Sequence, residues 1–291
     1  MNRFLRRASL YIRGQKTAPF RVRMNNGRSV FRFKKPQALT RGASFLGIFL
    51  LLSGCADTSS QKEYRVKNVI DGDTIELESG QMVRYLGIDT PEIRKRQDDG
   101  SWSYNPEPYG EKAKEFNRQL VENKTVRLEL DVQKKDKYNR LLAYCFAGDV
   151  FVNAKLLEEG FALLYTWPPN VKYANLLVKM QEEARRNNRG LWGELAVIPP
   201  KDAKRYLNQI ATVEGRVTSI RQSVKVSILN FGQSKFKAVI FKEAFPVFMA
   251  SGISIPQAYK GKTVRVTGCI KEYKDTLEII VRHPSAIEAV D

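Results

Sequence analysis

Residues 69–92 read VIDGDTIELESGQMVRYLGIDTPE, and this stretch decides the fold that the sequence predicts. Apolar and alternating runs, typical of short strands, are interrupted by turn residues at 71–73 and 79–80. Charged side chains fall where these strands meet turns, namely Asp71, Asp73, Arg84, Asp89 and Glu92. Because a rigid scaffold often presents its chemistry on the turns between strands, we expect this cluster to form the functional site.

The composition limits the chemistry of such a site. The chain has 291 residues, which suggests about two domains. Its one histidine, His283, excludes paired-histidine mechanisms and multi-histidine zinc sites within one chain. The net charge is +18, but residues 1–42 hold 12 of the 49 basic residues and no acidic one, which leaves 37 basic against 31 acidic residues. The remainder is moderately basic, which favours a polyanionic substrate.

The first 54 residues predict a signal peptide. A basic segment precedes the apolar run at residues 43–52, which is shorter than the ~20 residues of a membrane span. The run ends in Leu52-Ser53-Gly54-Cys55, which resembles the bacterial lipobox and implies a lipid on Cys55. The alternative is a short hydrophobic anchor followed by an incidental cysteine.

We therefore expect a lipoprotein on the extracytoplasmic face of the cell envelope, with residues 55–62 as a polar tether. Met24 would give a leader of more usual length, so residues 1–23 are interpreted as a misassigned start.

Residues 63–194 predict a mainly β domain with appended helices. Polar turns separate the strands, and apolar residues recur at spacings of three and four in the helices. The predicted strands lie at residues 64–70, 74–77, 82–88, 124–132 and 140–146, and the helices at 109–122, 153–160 and 173–188. Five short strands of this kind predict a small closed barrel of the oligonucleotide-binding (OB) type.

Short motifs occur in a fixed order within the same residues: VIDGDT (69–74), Arg84, DTPE (89–92), Tyr109-Gly110, DKYNR (136–140) and GLW (190–192). Their order resembles that of the staphylococcal nuclease (thermonuclease) family. Each motif alone is weak, whereas the order is specific, and the resemblance covers about residues 63–194. It implies a phosphodiesterase that cleaves DNA, RNA or both.

The resemblance also implies a calcium site and a base. Asp73 and Asp89 would bind Ca²⁺ together with the backbone carbonyl of Thr90, and oxygen ligands suit this hard cation. Glu92 would be the general base or would orient the attacking water, and the sequence leaves these two roles open.

Two arginines and a polar loop would bind the substrate. By the same resemblance, Arg84 and Arg140 would contact phosphate oxygens, for which the forked guanidinium is suited. Lys137 and Tyr138 match the contact of the family to a terminal phosphate, which positions substrate and breaks no bond.

Structural explanations compete at several positions. Asp71 is better explained as a turn residue, and Arg84 and Glu92 could form a structural ion pair. The segment at residues 93–108 is longer than in the family prototype. It is either a disordered insertion or a flap with stacking aromatic residues beside the substrate channel.

The remaining residues predict a second barrel. Residues 195–204 contain Pro199-Pro200 and are interpreted as a linker. Residues 205–291 contain five predicted strands and resemble the OB fold that binds nucleic acids. Phe231 is assigned to the core, whereas Phe236 is either core or part of a stacking face.

The sequence therefore predicts a lipid-anchored, Ca²⁺-dependent nuclease of low sequence specificity. The alternative is a catalytically inactive protein of two OB-type modules, either a nucleic-acid binder or an envelope scaffold. The sequence identifies no protein partner.

Overall fold

A computed structural model describes residues 23–25, 28–30, 62–97 and 99–290. The chain divides into two compact units, Met1–Gly54 and Cys55–Asp291. In the first unit, β1 (Arg23–Asn25) and β2 (Arg28–Val30) pair in antiparallel fashion. The predicted apolar run, Cys55 and most of the tether lie outside the described residues, so the leader and the lipid anchor stay predictions.

The first part of the second unit is built on a closed barrel. Its strands are β3 (Glu63–Val69), β4 (Thr74–Leu77), β5 (Met82–Tyr85), β6 (Gly87–Asp89), β7 (Arg94–Arg96), β8 (Trp102–Tyr104), β9 (Thr125–Lys135), β10 (Leu141–Ala147), β11 (Val150–Phe151) and β12 (Leu163–Tyr165). The strands β10, β5, β4, β3 and β9 are hydrogen-bonded in that order, and β9 also pairs with β10. This last pairing closes the ring, so the predicted mainly β fold with a five-stranded barrel is confirmed.

The strand register brings separate parts of the chain next to one another. Thr74 in β4 lies opposite Arg84 in β5, and Leu142 in β10 lies opposite Arg84 on its other side. Beside the barrel, β12 pairs with β6 so that Leu163 lies opposite Asp89. The turn before β4, the arginine of β5 and the loop before β10 are therefore neighbours.

Three helices cover the barrel, and each lies within two residues of its predicted bounds. They are α1 (Gly110–Val121), α2 (Val152–Glu158) and α3 (Ala174–Arg186). Buried residues such as Ala113, Leu156 and Leu177 form their inner faces. The close packing of α3 requires a glycine at Gly87, which has φ +80°, because a Cβ there would lie 2.3 Å from the Leu177 side chain.

Residues 195–290, called the C-terminal segment below, form two sheets around a core of their own. The strands are β13 (Val197–Ile198), β14 (Ile210–Arg216), β15 (Ser219–Gln222), β16 (Val226–Asn230), β17 (Phe236–Phe241), β18 (Thr263–Cys269), β19 (Lys271–Tyr273), β20 (Thr276–Ile280) and β21 (Ile287–Ala289), with helices α4 (Phe245–Ala250) and α5 (Ile255–Tyr259). One sheet has the order β13-β14-β18-β21 and the other β15-β16-β17-β20-β19. Phe231 and Phe236 are both buried in the shared core, so Phe236 is not part of a stacking face.

The predicted linker at residues 195–204 is folded onto this core. It contains β13 and the beginning of a 3-10 helix at Pro200–Tyr206. Ile198 and Ala203 are buried in the core of the C-terminal segment. The division into a nuclease domain and an OB domain stays a prediction. Among the described residues, no helix is both long enough and apolar enough to cross a bilayer.

Candidate active site

The turn at residues 71–73 holds Asp73 against Thr90. Within the turn, the backbone N–H of Asp73 donates to Asp71 Oδ1 at 3.1 Å, as in an Asx turn. A Cβ at Gly72 would lie 2.7 Å from the Thr90 side chain, so only glycine permits this approach. As a result, Oδ2 of Asp73 accepts a hydrogen bond from the Thr90 backbone N–H at 2.9 Å.

Arg84 joins the two carboxylates that the sequence assigns to the calcium site. Its guanidinium contacts Asp73 Oδ2 at 2.9 Å and Asp89 Oδ1 at 2.7 Å. It also donates to the backbone carbonyls of Tyr85 and Ile88, each at 2.9 Å. Burial opposes the charge of Arg84, but the neighbouring carboxylates outweigh it and raise its pKa above the ordinary value. The guanidinium is therefore charged and fixed in place.

Glu92 lies beside this cluster with its carboxylate free. Its backbone is anchored, because the Glu107 N–H donates to the Glu92 carbonyl at 2.7 Å and the Glu92 N–H donates to Glu107 Oε2 at 3.2 Å. Within the described part of the chain, its side chain has no hydrogen bond or ion pair. The alternative ion pair between Arg84 and Glu92 is not formed. The side chain is exposed and lines the same groove as Arg84.

Three carboxylates of the cluster have raised pKa values. Desolvation, followed by the charge of Asp73, raises the pKa of Asp71 to about 8. The same two causes raise the pKa of Glu92 to about 7, because its side chain is exposed to the groove but partly surrounded by the protein. For Asp89, burial raises the pKa to about 6 although the charge of Arg84 opposes the change. Four carboxyl groups, Asp71, Asp73, Asp89 and Glu92, lie with the one guanidinium of Arg84 in this cluster, and a bound cation would favour their charged forms.

We expect the protein without divalent cations to lose stability as the pH rises from 6.5 to 8. Folded Asp71 and Glu92 retain protons in this range that the unfolded chain has already lost, so the free energy of unfolding falls. Burial lowers the pKa of His283 to about 4, below the value of about 6.5 in the unfolded chain. His283 therefore makes the free energy of unfolding rise with pH, but only below pH 6.5. Chemical denaturation in chelator at several pH values measures the slope. Asp71→Asn should make it shallower, and an unchanged slope in that variant would rule out Asp71 as its source.

Arg140 lies just before β10 and is oriented by Asp136. Its Nε donates to Asp136 Oδ2 at 2.7 Å, while Asp136 Oδ1 accepts from the backbone N–H groups of Arg140 and Tyr138, both at 2.9 Å. The Lys137 ammonium lies 4.9 Å from the centre of the Tyr138 ring. Arg140 does not contact the carboxylate cluster directly, but both line one groove.

The groove has a volume of about 870 Å³ and contains most of the predicted site residues: Asp73, Arg84, Asp89, Glu92, Lys137, Tyr138 and Arg140. Thr90, the predicted carbonyl ligand, is adjacent through its bond to Asp73. The insertion at residues 93–108 is ordered as the antiparallel hairpin β7–β8, and its Trp102 lines the groove. The segment is thus a hairpin and not a disordered insertion, and its role as a flap beside a substrate channel stays a prediction. Tyr165 and Trp167, with ring planes 15° apart, line the groove as well.

The C-terminal segment contacts the backbone anchor of Glu92. The Lys271 ammonium donates to Glu107 Oε1 at 2.9 Å, and Glu107 is the residue that accepts from the Glu92 N–H. Glu107 is buried, with 7% of its surface exposed. The sequence analysis did not single out either residue, because they are 164 positions apart and belong to no motif.

Glu107→Gln should lower kcat several-fold while leaving KM close to that of the wild type. The change removes the negative charge opposite Lys271 and one of the two oxygens that accept from Lys271 and from the Glu92 N–H, which costs about 1–3 kcal/mol of stability for a buried polar group. The matched control is Glu288→Gln, which breaks the ion pair with Arg185 between the same two parts of the chain. Steady-state kinetics and thermal unfolding distinguish the two variants. An equal kcat in both would make Glu107 a purely structural residue.

Comparisons with known proteins agree with this geometry. The family described as "Staphylococcal nuclease homologue" matches residues 82–194. A thermonuclease of Staphylococcus intermedius is 41% identical over 134 residues, which cover 45% of this chain and 76% of that protein. A thermonuclease of Staphylococcus hyicus is 36% identical over 137 residues, covering 46% and 78%. The SPbeta prophage-derived endonuclease YokF of Bacillus subtilis is 34% identical over 155 residues, covering 52% and 50%.

Proposed function

The chain belongs to the family of staphylococcal nuclease homologues and is a nuclease hydrolase, and we propose that it is a Ca²⁺-dependent enzyme of low sequence specificity. The observation that supports this proposal is the groove itself. It combines the anchored Asp73–Arg84–Asp89 cluster, a free Glu92 carboxylate and the oriented guanidinium of Arg140.

The donor set fits a hard divalent cation. Asp73, Asp89 and the carbonyl of Thr90 supply only oxygen, the kind of ligand that a hard cation prefers. Among the described residues, no three His, Cys, Asp or Glu side chains are grouped to hold a metal. Two carboxylates and a carbonyl would make an open site, in which water and substrate complete the ligand shell. A bound Ca²⁺ would polarise the phosphoryl group as a Lewis acid.

Glu92, Arg84 and Arg140 supply the remaining chemistry of phosphodiester hydrolysis. Glu92 accepts a proton from the attacking water while the water oxygen forms a bond to phosphorus. The ester P–O bond on the opposite side of the phosphorus breaks, and its oxygen leaves with the bonding electrons. A carboxylate whose pKa is raised to about 7, chiefly by burial, is a stronger base than an ordinary glutamate. Arg84 and Arg140 donate hydrogen bonds to the phosphoryl oxygens, on which negative charge develops.

The groove suits an unpaired strand of DNA or RNA. Trp102, Tyr165 and Trp167 offer ring faces along it, and every base can stack on such a face whatever its identity. Lys137 and Tyr138 lie in the loop before β10, where they would contact a terminal phosphate of the strand. Stacking and phosphate contacts carry little sequence information, which supports low specificity.

Calcium titration calorimetry tests the metal site. We expect the wild-type protein to bind Ca²⁺ with a dissociation constant on the order of 10⁻⁴–10⁻³ M, as in open extracellular sites of few carboxylates. Asp89→Asn removes one ligand and should weaken binding, whereas Asp136→Asn leaves the proposed ligands intact and serves as the matched control. Equal affinity in Asp89→Asn and wild type would exclude the proposed ligand set.

The predicted signal peptide and lipobox support an extracytoplasmic location. We propose that Cys55 is lipidated and holds the enzyme on the extracytoplasmic face of a membrane, where calcium is plentiful. Radiolabelled palmitate should be incorporated into the wild-type protein and not into Cys55→Ser. Incorporation into both proteins would place the lipid elsewhere.

The C-terminal segment is proposed to be an OB-type module that contacts nucleic acid. Its own core of two sheets supports an independent fold, and Tyr273 is an exposed aromatic residue with Lys274 beside its ring. Such a pair suits a strand that stacks and is held by charge. Tyr273→Ala should weaken binding of long single strands, and unchanged binding would remove this residue from the interface.

A further inference from the structure

Arg282 of the C-terminal segment lies against the aromatic side chains of the groove. It follows β20, and its guanidinium carbon is 4.5 Å from the centre of the Tyr165 ring and 5.5 Å from that of Trp167. Both rings line the groove that contains Arg84 and Glu92. An arginine from outside the nuclease barrel is thus placed at the edge of the proposed substrate path.

The charge of Arg282 opposes the rise in the pKa of Asp89, but in the described part of the chain it does so without a direct ion pair. Among residues 62–97 and 99–290, no carboxylate forms an ion pair with it, and its contacts are the two rings. It also lines a cavity of about 200 Å³ that borders Asp89 and Glu92, so its charge faces the site. Stacking against rings fixes the plane of a guanidinium and leaves its N–H edge free to donate.

Other contacts already hold the C-terminal segment to the barrel. Lys271 pairs with Glu107, Arg185 pairs with Glu288, and the Gln181 amide donates to Ser285 Oγ at 3.2 Å. These contacts hold the C-terminal segment to the barrel, so Arg282 is not needed for that purpose. An arginine that lies against two rings, beside a groove with nucleic-acid-binding chemistry, and that forms no direct ion pair among the described residues can bind a phosphate.

We propose that Arg282 binds a backbone phosphate of the substrate, next to a nucleotide that lies on Tyr165 and Trp167. The C-terminal segment then forms one wall of the substrate path. The ligand class is a single-stranded polynucleotide that has at least one phosphate beyond the bond to be cleaved. This inference rests on the proposed nuclease function and adds a determinant of substrate length to it.

Steady-state cleavage of single-stranded oligonucleotides by Arg282→Ala tests the proposal. For strands of about ten nucleotides, KM should rise roughly tenfold, as expected for one lost charge-assisted hydrogen bond. The increase in KM should shrink as the substrate is shortened to a dinucleotide, which lacks the second phosphate. The slope of log KM against log salt concentration should fall by about 0.7, the value for one phosphate contact on a single strand.

Two further variants separate this role from a structural one. Arg221→Ala removes an equal charge from an exposed position on β15 and should leave the KM and its salt dependence as in the wild type. Arg282→Lys retains the charge and should restore part of the affinity. If Arg282→Ala unfolds at a lower temperature than the wild type, Arg282→Gln is used in its place, because the glutamine amide can still pack against the rings.

The proposal is overturned if Arg282→Ala and Arg282→Gln keep the wild-type KM and salt slope on long strands. It is also overturned if KM rises equally for all substrate lengths. Failure of the wild-type protein to cleave any substrate would instead refute the proposed function, so the two failures are distinguishable.

Discussion

Glu92→Gln should lower kcat for phosphodiester cleavage by about 10²–10⁴, the usual contribution of a general base. The substitution retains the size and backbone contacts of Glu92 and removes only its ability to accept a proton. Because the wild-type carboxylate has no partner among the described residues, its replacement leaves no buried charge unpaired. We therefore expect folding and substrate affinity to remain close to those of the wild type.

The pH profile distinguishes a base from a residue that only orients water. Wild-type activity should fall as the pH is lowered through the pKa of Glu92, since the protonated acid cannot accept a proton. The residual activity of Glu92→Gln should lack this dependence. Stopped-time assays of kcat between pH 5 and 9 measure both profiles. A variant that loses activity but keeps the wild-type pH dependence would assign the proton acceptor to another group.

Arg140→Ala should reduce kcat by about 10²–10³, the effect of removing one preorganised donor to a developing charge. Among the described residues Arg140 forms one ion pair, with Asp136, which is itself held by two backbone N–H groups, so the loop before β10 should keep its shape. Arg84 is less suitable for this test. It bonds to two carboxylates and two carbonyls, and its removal would disturb the whole cluster.

Arg140→Lys provides the informative companion variant. Lysine keeps the positive charge but cannot form the forked contact, so activity should be restored only in part. The control is Lys135→Ala, which removes a cation at the end of β9 that contacts Asn139 in the loop before β10. Single-turnover rates measured with saturating enzyme separate the loss in the chemical step from a loss in binding. Equal rates for Arg140→Ala and Lys135→Ala would remove Arg140 from the site.

Much of the barrel could be predicted because local pattern and tertiary structure agree there. The hairpin of β4 and β5 alternates around Ser79-Gly80, and α1 begins within one residue of its predicted start. The order of the motifs also placed Asp73, Arg84 and Asp89 together, which the structure does. In the C-terminal segment, the five predicted strands are present, but the sequence does not predict the short strands β13, β15, β19 and β21, because they offer too few residues for a period.

The rest of the site depends on packing between distant residues. No local signal shows that Lys271 reaches Glu107 or that Arg282 reaches Tyr165, since each pair is more than a hundred positions apart. The sequence also does not decide between a disordered insertion and a flap for residues 93–108, because the charged residues of this segment are compatible with both. Asp71 illustrates a partial success. It forms the predicted turn, but burial beside Asp73 also makes it part of the charged cluster.

The rate of cleavage with and without calcium tests the central claim most directly. The wild-type protein is incubated with single-stranded DNA and RNA in Ca²⁺, in chelator, and in chelator followed by excess Ca²⁺. We predict cleavage in Ca²⁺, a loss of at least about 10²-fold in chelator, as expected when a Lewis acid is removed, and recovery when Ca²⁺ is restored. Tight binding of nucleic acid without cleavage in Ca²⁺ would contradict the account and identify a catalytically inactive binding protein.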